Sequence, residues 1–298
     1  MAHTRSTTAM RRALRREVPT IVGLLADEED FTAMRRYRTF TFDDHATYLH
    51  QVEALLRSLA SQGGHTTVTL FDPEDYAVYC AQAGLDPDSP ASRSRFTAEV
   101  ATTGAGLAYT GQPIDRLVPA LINKAVRHAT WEYATMLLAD AGECARCGQD
   151  IGRDAFDRAS HLLHRLLQEA GPGTHHVVCS IPARDEQLLA VLHAERPDTG
   201  PTLLDSSEGA EFTTVLAVGI ALQSAGGLVL RTTTPAAPDR VHGWRLDRGR
   251  LIPLSAAEVF NAYCTDADTG EPLSPEPNVD YLAGFDITGS DDLPPPHH

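Results

Sequence analysis

Thr66-Thr67-Val68-Thr69-Leu70-Phe71-Asp72-Pro73-Glu74-Asp75 puts a strand and the start of a helix into one short run. The β-branched half favours extended backbone. Asp72 then suits a helix N-cap, and Pro73 suits the first helical position, where its missing N–H costs nothing. Glu74 and Asp75 complement the helix dipole. Upstream, Thr39 to Asp43 alternates like a strand. From about Asp44, Tyr48, Leu49, Val52, Leu55, Leu56 and Leu59 recur at the helical period until Gly63-Gly64. Strand, helix, strand and helix in succession predict an α/β sheet.

Working outward, Asp86 to Ala91 reads as a loop and Ser92 to Thr102 as a helix. Gly104-Ala105-Gly106 breaks the chain. Ile114 to Ala139 reads as one long helix, with Leu117, Leu121, Val126 and Trp131 among its apolar positions. Arg153 to Glu169 reads as another, with Phe156, Ala159, Leu163, Leu166 and Leu167 on one face. Gly171-Pro172-Gly173 marks a boundary. Beyond it come strands at His176 to Ile181 and Leu188 to His193, then a buried helix from Glu211 to Ala225. A strand at Gly227 to Thr233 is followed by a hairpin across Asp247-Arg248-Gly249 and a capping box at Ser255 to Glu258.

The expected fold is therefore α/β or α+β. It has an N-terminal α/β part, a central helical hairpin with a zinc-knuckle-like turn, a strand-rich C-terminal part and a flexible C-terminal tail. The corresponding segments are a basic helical arm at 1–38, an α/β subdomain at 39–112, the hairpin at 113–170, a strand-rich subdomain at 171–264 and a Pro/Asp-rich tail at 265–298.

The 298 residues are 42% hydrophobic, enough for a real core and more than one small domain requires. A net charge of −15 argues against broad attraction to nucleic acid or to an anionic membrane. Within 1–38, however, eight arginines face five acids. Arg11, Arg12, Arg15 and Arg16 are thus the candidates for a nucleic-acid contact, although a solvated amphipathic helix is the simpler explanation of them. Lys124 is the sole lysine and has no glycine-rich loop before it, so a P-loop is excluded. The arginine and alanine bias fits a high-GC bacterial genome. Ile21 to Ala26 is too short for a signal-peptide core and runs straight into Asp27 to Asp30, so a cytoplasmic location is expected without membrane attachment.

Chemistry concentrates in Cys144-Ala145-Arg146-Cys147-Gly148. Two thiolates on a tight turn, with a glycine after the second, suit one side of a tetrahedral zinc site. His161 and His164 follow on one side of the next helix. The composite C-x2-C-x13-H-x2-H resembles a zinc finger over Cys144 to His164. Asp157 and Arg158 stand where a finger would place a core leucine, and the histidines are closer together than a finger's. The resemblance therefore implies structural zinc between two helices and not base recognition. His175, His176 and Cys179 are alternative donors for the remaining positions. A Cys-x-x-Cys thiol oxidoreductase is the competing reading.

Weaker signals have simple structural explanations. Asp72, Glu74, Asp75 and Asp44 suit helix starts, and Trp244 suits a cross-strand aromatic. No complete catalytic motif occurs. The expectation is a cytosolic, non-enzymatic binding or regulatory protein with a protein partner and a structural zinc held by Cys144, Cys147, His161 and His164. A zinc-dependent hydrolase is the enzymatic alternative.

Overall fold

A computed structural model describes residues 20–102, 106–184, 186–266 and 269–287. Among them the chain is mixed α/β, with eight helices and ten strands in two sheets. It divides into two compact units, Met1–His128 and Ala129–His298. The boundary falls inside one helix, so the expected helical hairpin is not a unit by itself. The basic arm's helix at residues 6–17, with Arg11, Arg12, Arg15 and Arg16, lies outside the described residues, as does Gly104.

The first unit runs β1 (Thr20–Leu24), α1 (Glu28–Met34), α2 (His45–Ser61), β2 (Thr66–Leu70), α3 (Pro73–Ala83), α4 (Pro90–Thr102) and β3 (Leu107–Ala108). It ends in the first half of α5 (Ile114–Asp140). β1 and β2 are parallel, with Val22 opposite Val68, and β3 joins β2 antiparallel. Parallel neighbours need a crossover, which α1 and α2 supply. Leu24, Leu56, Val68, Tyr76, Leu117 and Leu121 are buried in its core.

The expected helix starts are present. The Asp44 carboxylate accepts from the Thr47 amide, and the Asp72 carboxylate accepts from the amides of Glu74 and Asp75. Thr39 to Asp43, by contrast, is irregular, and the strand lies at Thr20–Leu24. The alternation is still used, because Phe40 packs on Phe42 at 5.0 Å and Phe42 on Tyr48 at 5.1 Å, ring centre to ring centre. The backbone there is tied to a side chain instead of a ladder, the Thr39 amide donating to the Asp88 carboxylate at 2.8 Å.

The second unit holds the rest of α5, then α6 (Ile151–Glu169), β4 (Gly173–Ala183), β5 (Glu186–Arg196), β6 (Leu203–Leu204) and α7 (Ser206–Ala221). It continues through β7 (Gly226–Thr233), β8 (Asp239–Asp247), β9 (Arg250–Pro253), α8 (Ala256–Tyr263) and β10 (Val279–Leu282). Its sheet has the order β10-β8-β7-β4-β5-β6, with β9 on β8. The long β4–β5 hairpin sets Val178 opposite Val191. Helix α7 packs on β4 and β5 and α6 packs on α7, and their buried residues share one core with Val177, Cys179, Ile181, Leu192 and Leu230.

The buried face of α6 is Ala155, Ala159, Leu162, Leu163, Leu166 and Leu167, while Phe156 is exposed. Trp244 is buried as the cross-strand reading requires, opposite Leu228. Within the Pro/Asp-rich segment, β10 pairs parallel with β8 and Ile287 is buried in the core, so residues 279–287 belong to the folded unit. Residues 288–298 lie outside the described set. Among the described residues no helix is long and apolar enough to cross a membrane.

Candidate functional site

The cysteine pair sits on the turn between α5 and α6. Glu143 and Asp150 form an isolated antiparallel bridge. Inside it the Cys144 amide donates to the Gln149 carbonyl at 2.8 Å, and the Gly148 amide donates to the Cys144 carbonyl at 2.8 Å. Gly148 has φ +70°, the left-handed conformation in which a side chain is strained, so glycine follows the second cysteine for a backbone reason. The Ile151 amide closes the base on the Gly142 carbonyl at 3.0 Å. Gly152 then lets the two helices touch, for a Cβ there would lie 2.5 Å from the Leu138 carbonyl oxygen. Cys144 is buried and Cys147 exposed.

The donors fit zinc chemically, as two sulfurs three residues apart on a reversed backbone. The structure does not bring His161 and His164 to them. Both lie within α6, and at 1.5 Å per residue His161 is about 15 Å along the axis beyond Ile151. Among the described residues no three His, Cys, Asp or Glu side chains gather as a metal ion requires. The sequence spacing is finger-like, but α6 begins soon after Cys147, without the loop that would fold a helix back over the cysteines.

The alternative donors are otherwise engaged. His175 is buried, with Nδ1 3.0 Å from Thr232 Oγ1 and Nε2 3.0 Å from the Gly171 carbonyl. His176 stacks on His193 at 4.8 Å. Cys179 is fully buried, and burial pushes its thiol up to about 12, away from the thiolate a metal needs. The thiol-exchange reading wants a cysteine at the first turn of a helix. Here Asp150 is the N-cap, its carboxylate accepting from the Arg153 amide at 2.8 Å.

Two cavities are not legible in the sequence. In the second unit one of about 560 Å³ is lined by Ser160, Leu163, His164, Arg196, Thr202 and Thr213, the size of a small-molecule site. His164 thus belongs to this wall and not to the cysteine turn. Arg196 donates from Nη1 to the carbonyls of Leu167 and Gln168, a cation at the C-terminal end of α6. In the first unit a cavity of about 390 Å³ is lined by Gly23, Phe40, Phe42, Phe71, Arg93 and Thr97. Each wall draws on several distant segments, so no local motif announces it.

Burial shifts three histidines of the second unit and Asp30 of the first in opposite directions. Burial holds His175, His176 and His242 below the ordinary histidine value of 6.5. The unfolded chain takes up these protons near pH 6.5 while the folded unit resists them. Their contribution is therefore complete above that pH and lost as pH falls below it. Both tryptophans, Trp131 and Trp244, lie in the second unit, so their fluorescence follows its melting. A lower melting temperature at pH 5 than at pH 7.5 is expected, with a smaller difference in His175→Gln. An unchanged or higher value at pH 5 contradicts this assignment. In the first unit burial, then the charges of Asp27 and Asp72, raises Asp30 to about 6, and its contribution runs the other way, improving as pH falls through that value.

Residues 9–112, about a third of the chain, match the family model of a domain of unknown function (DUF8829). No curated protein and no solved structure matches the chain. The matched region covers most of the first unit and stops short of the cysteine turn.

Proposed function

We propose that the chain is a cytoplasmic binding or regulatory protein in which Cys144 and Cys147 hold a structural zinc that fixes the α5–α6 turn. The observation carrying this reading is the reversed backbone at Cys144 to Gly148, which sets two sulfurs on one tight turn at the contact of two helices. His161 and His164 are left out of the ligand set because α6 carries them away from the turn. On this reading the protein acts by engaging a partner, and zinc supplies rigidity instead of turnover. A full structural site contributes on the order of 10 kcal/mol of apparent folding free energy, so loading should be visible in the melt.

The test is titration of chelated, reduced protein with zinc while tryptophan fluorescence follows thermal unfolding. Wild-type protein is expected to gain several degrees or more on saturation. Cys144→Ser and Cys147→Ser are expected to gain little, and His161→Ala is expected to respond like wild type. A wild-type melt indifferent to zinc contradicts the reading.

A further inference from the structure

We propose that the cavity of the second unit binds a small organic monocarboxylate, its charged end on Arg196 and its hydrocarbon part along α6. This goes beyond the zinc reading and does not depend on it. The residues lining the cavity run from Ser160 to Thr213, so the site lies wholly within one unit. Its volume of about 560 Å³ falls among small-molecule sites, which span about 300–1,000 Å³. Charge then fixes the sign of the ligand. The chain carries 40 Asp and Glu against 25 Lys and Arg, yet no Asp or Glu is among the residues lining this cavity. Two acids beside it are turned to other work. The Asp205 carboxylate accepts from the amides of Ser207 and Glu208, and the Glu208 carboxylate accepts from the His193 amide at 3.0 Å.

Arg196 is the one permanently charged residue among those lining the cavity. Its Nη1 donates to the carbonyls of Leu167, at 2.8 Å, and Gln168, which fixes the guanidinium at the end of α6. Among the described residues its Nε and Nη2 meet no acceptor. Those two N–H groups form the fork that a carboxylate accepts with both oxygens. A guanidinium already anchored through Nη1 also loses little freedom when it binds. From Gln168 back to Ser160 the wall follows α6 for about 12 Å. Leu163 and Leu167, one turn apart on that stretch, and Leu204 on β6 give it an apolar lining for a hydrocarbon chain. The hydroxyls of Ser160 and Thr213 donate to the carbonyls of Phe156 and Gly209, so neither offers its proton to a second anionic group. One fixed cation balances one charge, which favours a monocarboxylate over a dianion.

Isothermal titration calorimetry of the full chain with octanoate, in the presence of a zinc chelator, tests this. Saturable binding of one octanoate per chain is expected, with 1-octanol and octylamine at least tenfold weaker. Arg196→Gln is expected to weaken octanoate tenfold or more, because the charge-assisted pair is lost. Arg196 also holds the end of α6, so Leu204→Glu serves as a second variant. It changes a side chain that is 41% exposed and sets a like charge on the wall. It should keep the circular dichroism of the wild type and lose octanoate affinity tenfold or more. Absence of saturable binding at millimolar octanoate overturns the proposal. Equal affinity for 1-octanol overturns the carboxylate assignment, and wild-type affinity in Leu204→Glu overturns the site. Because zinc is withheld throughout, none of these outcomes bears on the cysteine turn.

Discussion

Trp244→Ala is expected to cost the second unit about 3–5 kcal/mol, the range for truncating a buried aromatic. Trp244 lies on β8 with 1% of its surface exposed. Its ring meets Phe285 edge-on at 5.0 Å and 79°, and its Nε1–H donates to the Phe285 carbonyl at 2.9 Å. Truncation removes that packing, leaves a void and strands a carbonyl. It also releases the segment after β10, whose Ile287 is a core residue. Domains have only about 5–15 kcal/mol in reserve, so the variant should unfold at far lower urea. Trp244→Phe keeps much of the apolar volume and loses the donor, so a cost of about 1–3 kcal/mol is expected. Urea unfolding followed by circular dichroism measures both. A loss below about 1 kcal/mol for Trp244→Ala would contradict the packing described for this corner.

Gly152→Val is expected to separate the end of α5 from the start of α6. A Cβ at Gly152 would stand 2.5 Å from the Leu138 carbonyl oxygen and 3.0 Å from its carbon. Both are backbone atoms, so no rotamer change relieves the clash and the helices themselves must shift. Overpacking of this kind costs about 1–3 kcal/mol, occasionally more. Gly152→Ala is the sharper test because it reverses a sign. Helix propensity alone favours alanine over glycine by roughly 0.5–1 kcal/mol, whereas the contact makes it destabilising. Gly148→Ala meets nothing within 4 Å but has φ +70°, so it should cost about 1–2 kcal/mol through backbone strain alone. Chemical denaturation of the three variants separates contact from conformation. A stabilised Gly152→Ala would show that the helices do not meet as described.

The elements are legible wherever one stretch carries its own punctuation. Asp72-Pro73 at a strand end, Gly63-Gly64 after a helix and Ser255 with Glu258 each specify a boundary through local hydrogen bonding. Thr39 to Asp43 misleads because alternation records which side chains face the core, and an irregular segment can pack a partly buried Phe40 and Phe42 against it without joining a sheet. Thr20–Leu24 is hard to read as an edge strand because a short apolar run behind arginines looks first like a targeting segment. The tail's composition suggests looseness, yet a single parallel pairing to β8 and the Trp244 hydrogen bond hold residues 279–287.

The cysteine turn is legible in sequence because its donors are adjacent. The histidines are misplaced by the same reading because spacing counts residues and not ångströms. Thirteen residues can fold back or run straight, and α6 runs straight. The cavities are invisible for the opposite reason, since Arg196, His164 and Thr213 are far apart in the chain and meet only in the folded unit.

Elemental analysis of the purified full chain, beside Cys144→Ser and Cys147→Ser prepared in the same way, tests the central claim most directly. Zinc should accompany the wild-type chain and be lost from both variants. Wild-type material free of zinc even after reduction and zinc loading, or variants that retain the wild-type content, would contradict it.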